Sequence, residues 1–309
     1  MGCKVAVFGS YVVDLMGRTP HLPVPGETVK GSVFKMGAGG KGFNQAVAAH
    51  KAGAVVTCIT KMGRDSFADV ALNTMEELGM SREHLFFHDT VETGIALILV
   101  DENTSQNEIV IVPGACATIS DEDIAGIEEV IREAEYVLLQ LEVNPSANES
   151  VIKMAEKYHT KVILNTAPYQ PVRDDLLEKV YMVTPNEVEA EAMTGIPVVD
   201  LEGAKKAAKV FFDKGVKKVV ITLGERGVFV SSDGREEIIP GFQVKATDTT
   251  GAGDAFNGGL LTALSEGKDL WEAARFANGV AALSVQKLGT TPSMPTRAEV
   301  DQFLSEHKG

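Results

Sequence analysis

Residues 248–254 have the sequence Asp248-Thr-Thr-Gly-Ala-Gly-Asp254, in which only small residues separate two aspartates. Apolar residues with helical spacing follow over 256–264, so the Gly-Ala-Gly segment is predicted to form the first turn of a helix. The first N–H groups of a helix have no partner within it, and the helix dipole is positive at that end. Because these side chains allow a close approach, we expect Gly251, Ala252 and Gly253 to form an anion-binding site.

Asp254 is predicted to lie in the same turn as a bound anion. A carboxylate at that position is unfavourable unless it has a chemical role, and accepting the proton of an attacking hydroxyl is such a role. The alternative is a capped helix start in which Asp254 only interacts favourably with the helix dipole. The segment by itself leaves both interpretations open.

Outward from this segment, short β-branched runs alternate with stretches of helical periodicity. Near-continuously apolar strands that alternate with helices are typical of a parallel sheet that is covered on both faces. We therefore predict an α/β fold with a doubly wound, mostly parallel sheet and helices on both faces. The predicted strands are 4–9, 55–60, 136–141, 161–165, 180–184 and 217–222. The predicted helices are 44–52, 67–78, 121–133, 147–158, 187–193, 201–214, 252–265 and 270–287.

Two segments interrupt this alternation. Residues 11–36 contain three prolines and then an extended stretch over 28–36, and residues 91–114 contain two strand-like runs around the polar turn 101–107. These features are typical of hairpins, and we predict that the two segments form a small β-sheet lid. The alternative is that they are edge strands of the main sheet. The core is predicted to comprise residues 1–10, 37–90 and 115–309.

The composition limits the partners of this protein. The 309 residues carry a formal net charge of −14 and a pI of about 4.9, which argues against nucleic acid and anionic membranes. The three cysteines, Cys3, Cys58 and Cys116, are spaced for neither a disulfide framework nor a zinc site, and Cys58 lies in an apolar run that predicts burial. No apolar run approaches the length of a membrane span and no signal-peptide pattern is present, so we expect a cytoplasmic protein.

A glycine-rich stretch, Gly37-Ala-Gly-Gly-Lys-Gly42, precedes a predicted helix. It formally matches the dinucleotide fingerprint, but it does not close the first strand–helix turn, and Lys61 stands where an acidic residue should end the next strand. The Walker A pattern fails because Gly42 occupies its Ser/Thr position. We predict instead that the stretch opens a helix and that its amides, Lys41 and Asn44 contact the oxygens of a polar ligand. A purely structural turn is the alternative.

Three further segments follow predicted strands, at the edge where parallel sheets bind ligands. Asp14 can accept two hydroxyl hydrogen bonds from a sugar, and it also suits an ordinary turn. Asn186 and Glu189 suit either a helix N-terminus or the binding of waters on Mg²⁺. The segment Thr222-Leu-Gly-Glu-Arg-Gly227 suits either a hairpin or the phosphates and ribose of a nucleotide.

Taken in order along the chain, these segments resemble the ribokinase family of sugar kinases. The resemblance covers essentially the whole chain. Its most specific parts are Gly39-Gly-Lys-Gly-Phe-Asn44, Asn186 with Glu189, and residues 248–254. It implies an α/β core with a β-sheet lid, Mg-ATP as the phosphoryl donor, and a homodimer formed through the lids.

The resemblance also implies roles for individual residues. Asp254 would be the catalytic base, and Gly251, Ala252 and Gly253 would form the anion hole for the transferred γ-phosphoryl group. The residues that would hold the sugar are Asp14, Gly40, Lys41, Asn44 and Glu142. Those that would line the nucleotide site are Asn186, Thr222, Gly224, Gly227 and Asn278. A potassium ion (K⁺) beside the anion hole would involve Asp248, Thr250, Ser284, Lys287, Gly289 and Ser293, several of them through backbone carbonyls.

One departure from this family concerns the sugar. Bacterial ribokinases usually carry asparagine two residues before the sugar-binding aspartate, whereas this chain has Val12. Valine cannot hydrogen-bond a sugar hydroxyl, and deoxyribokinases also have an apolar residue there. Phe43, where alanine is common, adds bulk beside the sugar. D-ribose is the first choice that the resemblance implies, with 2-deoxyribose, fructose and nucleosides as alternatives.

The expected reaction is transfer of the γ-phosphoryl group of ATP to the primary 5-hydroxyl of a pentose. Two other classes of function stay open. A non-catalytic sugar or nucleotide sensor on the same fold is one, although the intact base and anion hole argue against it. A nicotinamide oxidoreductase that uses the glycines of 37–42 is the other, and the incomplete fingerprint argues against it.

Overall fold

The structure is a computed structural model that describes residues 2–104 and 106–307. Met1, Lys308 and Gly309 of the predicted core, and Ser105 of the predicted turn 101–107, lie outside the described residues. The strands are β1 (Lys4–Phe8), β2 (Val12–Thr19), β3 (Val33–Gly39), β4 (Val55–Gly63), β5 (Leu85–His88), β6 (Thr93–Asp101), β7 (Asn107–Gly114), β8 (Tyr136–Leu139), β9 (Lys161–Leu164), β10 (Met182–Val183), β11 (Lys218–Thr222), β12 (Val228–Ser232) and β13 (Arg235–Ile239).

Helices connect most of these strands. None of them, in the part of the chain that the structure describes, combines the length and the apolar character needed to cross a membrane. The helices are α1 (Lys41–Ala52), α2 (Ser66–Leu78), α3 (Asp121–Ala125), α4 (Glu128–Glu133), α5 (Pro145–Tyr158), α6 (Asp174–Leu177), α7 (Glu187–Thr194), α8 (Leu201–Asp213), α9 (Ala252–Ser265), α10 (Leu270–Ser284) and α11 (Arg297–Glu306).

A nine-stranded sheet in the order β13-β12-β11-β10-β9-β8-β1-β4-β5 forms the centre of the structure. Its neighbours pair in parallel, except that β12 and β13 join one edge by antiparallel pairing. Alternate residues of β1 point to opposite faces: Val5 and Val7 pack in the cluster that contains α1, α2, α9 and α10, and Ala6 and Phe8 pack in the cluster that contains α4, α5 and α8. Burial on both faces explains the near-continuous apolar strands, and the predicted fold class is confirmed.

Four strands form a separate, smaller sheet in the order β3-β2-β6-β7. β2 pairs in parallel with β6, and β3 and β7 add to either side by antiparallel pairing. The predicted hairpin of 91–114 is β6 with β7. The alternative in which these segments are edge strands of the main sheet is therefore wrong.

Several predicted element boundaries are wrong. The extended stretch predicted over 28–36 begins only at Val33, and the predicted strand 180–184 pairs only over Met182–Val183. The predicted helix 121–133 is interrupted at Gly126 and Ile127, which separate α3 from α4. The predicted helix 270–287 ends at Ser284. The missed elements β5, β13 and α11 lie at sheet edges or late in the chain and bury few residues, so their apolar periodicity is weak.

Helix α1 begins at Lys41 rather than at the predicted Asn44, so both side chains belong to its first turns. Glycine in a helix is unfavourable by about 1 kcal/mol, which is why the sequence pattern does not predict this start. Tertiary packing requires a glycine at position 42, because a Cβ there would lie 2.6 Å from the carbonyl carbon of Gly9. The end of β1 and the start of α1 are therefore in direct contact.

Helices α1 and α9 pack with their backbones close together at Gly258. A Cβ on this glycine would lie only 2.5 Å from the Cβ of Ala48. We predict that Gly258→Ala lowers the free energy of unfolding by about 1–3 kcal/mol, since the added methyl group overpacks this contact. Urea denaturation measures the change. Gly37→Ala is the control, because its Cβ would meet no atom within 4 Å. Equal stability of the two variants would contradict the prediction.

Candidate active site

The glycine-rich segment opens α9, as predicted. Gly251 is the N-cap residue and has a φ of 76°, a left-handed conformation that glycine adopts without strain. Ala252 and Gly253 form the first turn, where backbone N–H groups have no partner within the helix. Gly253 is exposed and Gly251 and Ala252 are partly exposed, so a ligand can reach this turn.

A cavity of about 190 Å³ lies at this helix start. It is bounded by the N-terminal ends of α1, α7 and α9 and by the carboxyl ends of β9 and β11, which is where a parallel sheet binds ligands. The structure thus brings together residues that are far apart in the chain. Its lining includes the predicted site residues Lys41, Asn186, Glu189, Thr222 and Gly251 to Asp254, together with Asn165, Thr184 and Asn257.

Asp254 is buried beside this cavity, with 7% of its surface exposed. Its Oδ2 accepts a hydrogen bond from Asn44 Nδ2 at 3.0 Å, and its Oδ1 accepts one from Gln45 Nε2 at 2.9 Å. Burial raises the pKa of the Asp254 carboxyl, although Lys41 and the two amides oppose the shift. A carboxylate with a raised pKa is a stronger base than an ordinary aspartate and is suited to accept a proton.

Lys41 places a positive charge among several carboxylates. Burial disfavours the ammonium form, but Asp254, Glu142 and Glu189 outweigh this effect and raise the pKa of Lys41. The side chain therefore stays protonated at neutral pH. The backbone N–H of Lys41 donates to Glu142 Oε2 at 2.9 Å, and the Ser10 hydroxyl donates to the same oxygen. These contacts place the predicted sugar ligand Glu142 at the start of α1.

Asp14 lies within β2 of the small sheet, not in a turn. A Cβ on Gly39 would lie 2.1 Å from Asp14 Oδ1, so glycine at this position leaves the space that the carboxylate occupies. Burial raises the pKa of the Asp14 carboxyl to about 6, and Asp254 and Glu142 also raise it. Gly40 comes directly after Gly39 and is the N-cap of α1. The predicted sugar residues on the small sheet and at the start of α1 therefore lie close together.

Val12 lies two residues before Asp14 in β2, on the same face of the small sheet. It is 3% exposed and packs with Ala96 and Cys116 in a small apolar cluster. The wall beside Asp14 is therefore apolar at this point. A sugar hydroxyl directed at Val12 would have no hydrogen-bond partner in its side chain.

Asn186 and Glu189 form a capping box at the start of α7, as the structural interpretation of the sequence predicted. The Asn186 side chain accepts from Glu189 N at 2.8 Å, and Asn186 N donates to Glu189 Oε2 at 3.0 Å. Both residues also line the cavity, which the interpretation as a magnesium site requires. No cluster of three or more His, Cys, Asp or Glu side chains could hold a metal within residues 2–104 and 106–307. This donor set fits Mg²⁺ held mainly by phosphate oxygens and waters, with Glu189 as a partner of the waters.

The other predicted nucleotide residues are more dispersed. Thr222 ends β11 and lines the cavity, and Gly224 and Gly227 bound the turn that leads into β12. The predicted hairpin at this turn is confirmed, because β11 and β12 pair antiparallel. Asn278 of α10 is buried and its Nδ2 donates to the carbonyl oxygens of Ile239 and Pro240, at 3.3 and 3.2 Å. Its amide therefore holds the end of β13.

Asp248 joins two loops beside the anion-binding turn. Its Oδ1 accepts from Thr250 N and its Oδ2 from Gly289 N, both at 2.9 Å. Burial opposes the charge, but these amides dominate and lower the pKa of the Asp248 carboxyl. The carbonyl oxygens of Thr250, Lys287 and Gly289 accept no hydrogen bond from the residues that the structure describes, so they are available to a ligand.

The side chains of the remaining predicted potassium residues have other partners. Lys287 Nζ forms an ion pair with Glu299 at 2.8 Å. The hydroxyls of Ser284 and Ser293 donate to backbone carbonyls within their own turns. Any contribution of these three residues to a cation site must therefore come from their main chains, as the resemblance already implied for several of them.

With this geometry in place, comparison with known proteins decides the family. The model of the pfkB family carbohydrate kinases matches residues 3–297. The chain belongs to the pfkB family of carbohydrate kinases. It is therefore a sugar kinase, and the resemblance that the motifs indicated is confirmed.

Relatives within the family are similar over their whole length. The chain is 44% identical to the ribokinase of Haemophilus influenzae over 303 residues, which is 98% of each protein. It is 37% identical to the deoxyribokinase of Salmonella typhimurium over 302 residues, which is 97% of this chain and 98% of that one. The structure of Arabidopsis thaliana ribokinase complexed with ribose and ATP matches with a TM-score of 0.91 at 31% identity, over 98% of this chain and 99% of that one.

Sequence reasoning missed several polar residues behind this kinase site. Gln45 donates to Asp254 and to Asn165 Oδ1 at 3.0 Å, and its own oxygen accepts from Gln140 Nε2 at 2.7 Å. Gln45, Gln140 and Asn165 are all buried. A buried polar side chain signals a hydrogen-bonded network, but the sequence does not show which distant residues share it. Of the three, only Gln45 could have been predicted as a site residue from the sequence, because it directly follows Asn44.

Proposed function

We propose that this kinase transfers the γ-phosphoryl group of ATP to the primary 5-hydroxyl of a pentose, with D-ribose as the first choice. The observation that carries the proposal is the buried Asp254 carboxylate beside the open N-terminal turn of α9. The ribokinase relative at 44% identity, and the match to a ribokinase complexed with ribose and ATP, support the choice of substrates. Asp254, Gly251, Ala252 and Gly253 are the proposed catalytic residues.

Asp254 would accept the proton of the attacking hydroxyl, and the amides of residues 251–253 would stabilise the charge on the transferred group. Lys41, protonated and on the cavity wall, would meet the phosphate oxygens as well as the sugar. Asp14 and Glu142 would accept hydrogen bonds from the sugar hydroxyls, and the Asn44 amide would accept or donate one, with the Gly40 backbone beside them. Phosphoryl transfer depends on positioning and electrostatic stabilisation, and these groups would supply both.

The nucleotide would extend from the anion-binding turn towards Asn186, Thr222 and the turn at Gly224 and Gly227, with Asn278 holding the adjacent backbone. Mg²⁺, when bound with ATP, would neutralise phosphate charge, and Asn186 and Glu189 would hold its waters. The small sheet, residues 11–36 and 91–114 in the predicted division, would act as a lid that excludes water from the sugar.

We predict that Asp254→Asn lowers kcat by about 10²–10⁴ because the variant cannot accept the hydroxyl proton. ADP release in the presence of D-ribose and MgATP measures it, with circular dichroism to confirm folding. Asp69→Asn is the matched control, since Asp69 is an exposed aspartate in the first turn of α2. For the wild-type enzyme, kcat should fall on the acid side at a higher pH than an ordinary aspartate would give, because the base must be ionised. Near-normal kcat in Asp254→Asn would remove the base assignment.

A second candidate substrate, 2-deoxy-D-ribose, is favoured by Val12 and by the deoxyribokinase relative at 37% identity. We expect the wild-type enzyme to have the higher kcat/KM for D-ribose, and Val12→Asn to raise the ratio of ribose to deoxyribose kcat/KM by about tenfold. Val12→Ile is the control, because it keeps the wall apolar. A wild-type preference for deoxyribose would change the proposed sugar. An unchanged ratio in Val12→Asn would show that this wall does not contact the distinguishing hydroxyl.

A K⁺ site beside the anion-binding turn forms part of the proposal, supported by the carbonyl oxygens of Thr250, Lys287 and Gly289, which accept no hydrogen bond from any described residue. Asp248, Ser284 and Ser293 would complete the site through their loop and helix-end positions. We predict that replacing K⁺ by tetramethylammonium lowers kcat several-fold, because this cation is too large for a ring of carbonyls. Asp248→Asn should reduce the response to K⁺. Equal rates in both salts would exclude the ion from the mechanism.

We propose further that two copies of the chain associate through the outer face of the small sheet. Strand register places Phe34, Met36, Leu97 and Val110 on the face opposite Asp14. These side chains are exposed, Phe34 by 69% and Val110 by 59%, and an apolar patch of this kind usually marks an interface.

Analytical ultracentrifugation tests this association. We predict that the wild-type protein sediments as a dimer and that Val110→Lys shifts it to the monomer, because a lysine would have to be buried in the interface. Ile109→Lys, on the same strand but on the opposite face, should leave the dimer intact. A wild-type monomer, or dissociation by both variants alike, would contradict the proposed interface.

A further inference from the structure

The short segment 289–293 lies where the two sheets and the start of α9 meet. Gly289 N donates to Asp248, and a Cβ on Gly251 would lie 3.3 Å from Thr290 Cγ2, so Thr290 packs against the N-cap of α9. Thr290 is 8% exposed and Thr291 is 6% exposed. Neither threonine belongs to the motifs that indicated the function, yet both side chains reach residues of the proposed sugar site.

The two hydroxyls contact three acceptors. Thr290 Oγ1 lies 3.3 Å from Asp14 Oδ2 and 3.2 Å from the carbonyl oxygen of Ala38. Thr291 Oγ1 lies 3.0 Å from the same carbonyl and 3.1 Å from Asn44 Oδ1. The nitrogen of the Asn44 amide is the group that donates to Asp254. The pair thus connects Asp14 on the small sheet with the partner of Asp254 on α1.

A hydroxyl has one proton to donate, so two threonines can serve only two of the three acceptors at a time. If Thr290 donates to Asp14, then Thr291 must divide its proton between Ala38 and Asn44. If Asp14 receives its hydrogen bond from another donor, Thr290 can serve Ala38 and Thr291 can serve Asn44. A hydrogen bond from Thr291 to Asn44 Oδ1 fixes the orientation of the amide, so that its nitrogen points towards Asp254.

We propose that Thr290 and Thr291 are positioning residues that couple occupancy of Asp14 by a sugar hydroxyl to the orientation of Asn44 beside Asp254. The inference rests on the proposed sugar kinase function and deepens it. A sugar hydroxyl takes the position that the Thr290 hydroxyl holds at Asp14 Oδ2, Thr290 turns to the Ala38 carbonyl, and Thr291 then donates to Asn44. The base is held in its working position once the sugar is in place, and less firmly without it.

Steady-state kinetics with D-ribose and MgATP tests the role of the Thr291 hydroxyl. Thr291→Val and Thr291→Ala both remove it, the first at nearly constant volume and the second without added bulk. We expect both to lower kcat by about tenfold and to leave KM for MgATP within about twofold, since neither threonine lines the cavity at the start of α9. Thr291→Ser keeps the hydroxyl and should restore kcat to within about twofold of the wild type.

The control is Thr262→Val, which removes another buried threonine hydroxyl that donates to backbone carbonyls in α1 and α9. It should leave kcat unchanged. Coupling is tested by the single variant Thr290→Val and the double variant Thr290→Val/Thr291→Val. The double variant should have a kcat no lower than that of Thr291→Val, because in the proposed coupling the Thr290 hydroxyl acts on Asn44 through Thr291. Circular dichroism shows whether each variant is folded.

The outcomes separate this inference from the proposed function. A folded wild-type protein that releases no ADP with any pentose would overturn the function itself. If the wild type is active, a normal kcat in Thr291→Val and Thr291→Ala would overturn the positioning role. So would a Thr291→Ser variant as slow as Thr291→Val, and a double variant whose loss is the product of the two single losses would overturn the coupling.

Discussion

A carboxylate held inside the protein core is the constraint on which most of this structure depends. Asp254 is almost fully buried, and each of its oxygens receives an amide hydrogen bond, from Asn44 and from Gln45. Burying a charge is strongly unfavourable unless such partners are in place, and a missing partner costs more than the bond itself contributes. The start of α1 must therefore lie at a set distance from the start of α9. The close helix contact at Gly258 keeps it there.

The same constraint connects the two sheets. Asn44 contacts Asp254 on one side and Thr291 on the other, and the threonine pair reaches Asp14 in the small sheet. The small sheet is also anchored at its roots. Thr93 N, at the start of β6, donates to Asp65 Oδ2 at 2.7 Å, and the Thr93 hydroxyl accepts from Gly63 N, at the end of β4, at 3.0 Å. A sugar bound between the two sheets, as proposed above, would contact residues of both.

The parts of the fold that could be predicted are those in which local pattern and tertiary packing agree. Strands β1, β4, β8 and β11 are mostly apolar on both faces because helices cover both faces of the sheet. Their sequences therefore predict buried strands without ambiguity. Prediction failed where the two disagree: at the glycine-containing start of α1, where contact with Gly9 outweighs helix propensity, and at β5 and β13, edge strands with few buried residues. The candidate site residues were predicted from short motifs and from the family resemblance, whereas Gln45, Thr290 and Thr291 belong to no motif.

By itself, the sequence determined the α/β class, the helix start at Gly251 and the membership in a family of sugar kinases, because each depends on local periodicity or on short motifs that can be recognised one at a time. The tertiary structure alone decided which distant side chains share one hydrogen-bond network. It placed Asp14 on a strand of the second sheet and Gln45 against Asp254. It also placed Thr290 and Thr291 between Asp14 and Asn44. A hydrogen bond between residues more than two hundred positions apart leaves no periodic trace in the sequence. It forms because a buried polar group is costly without a hydrogen-bond partner, and the fold brings these partners together.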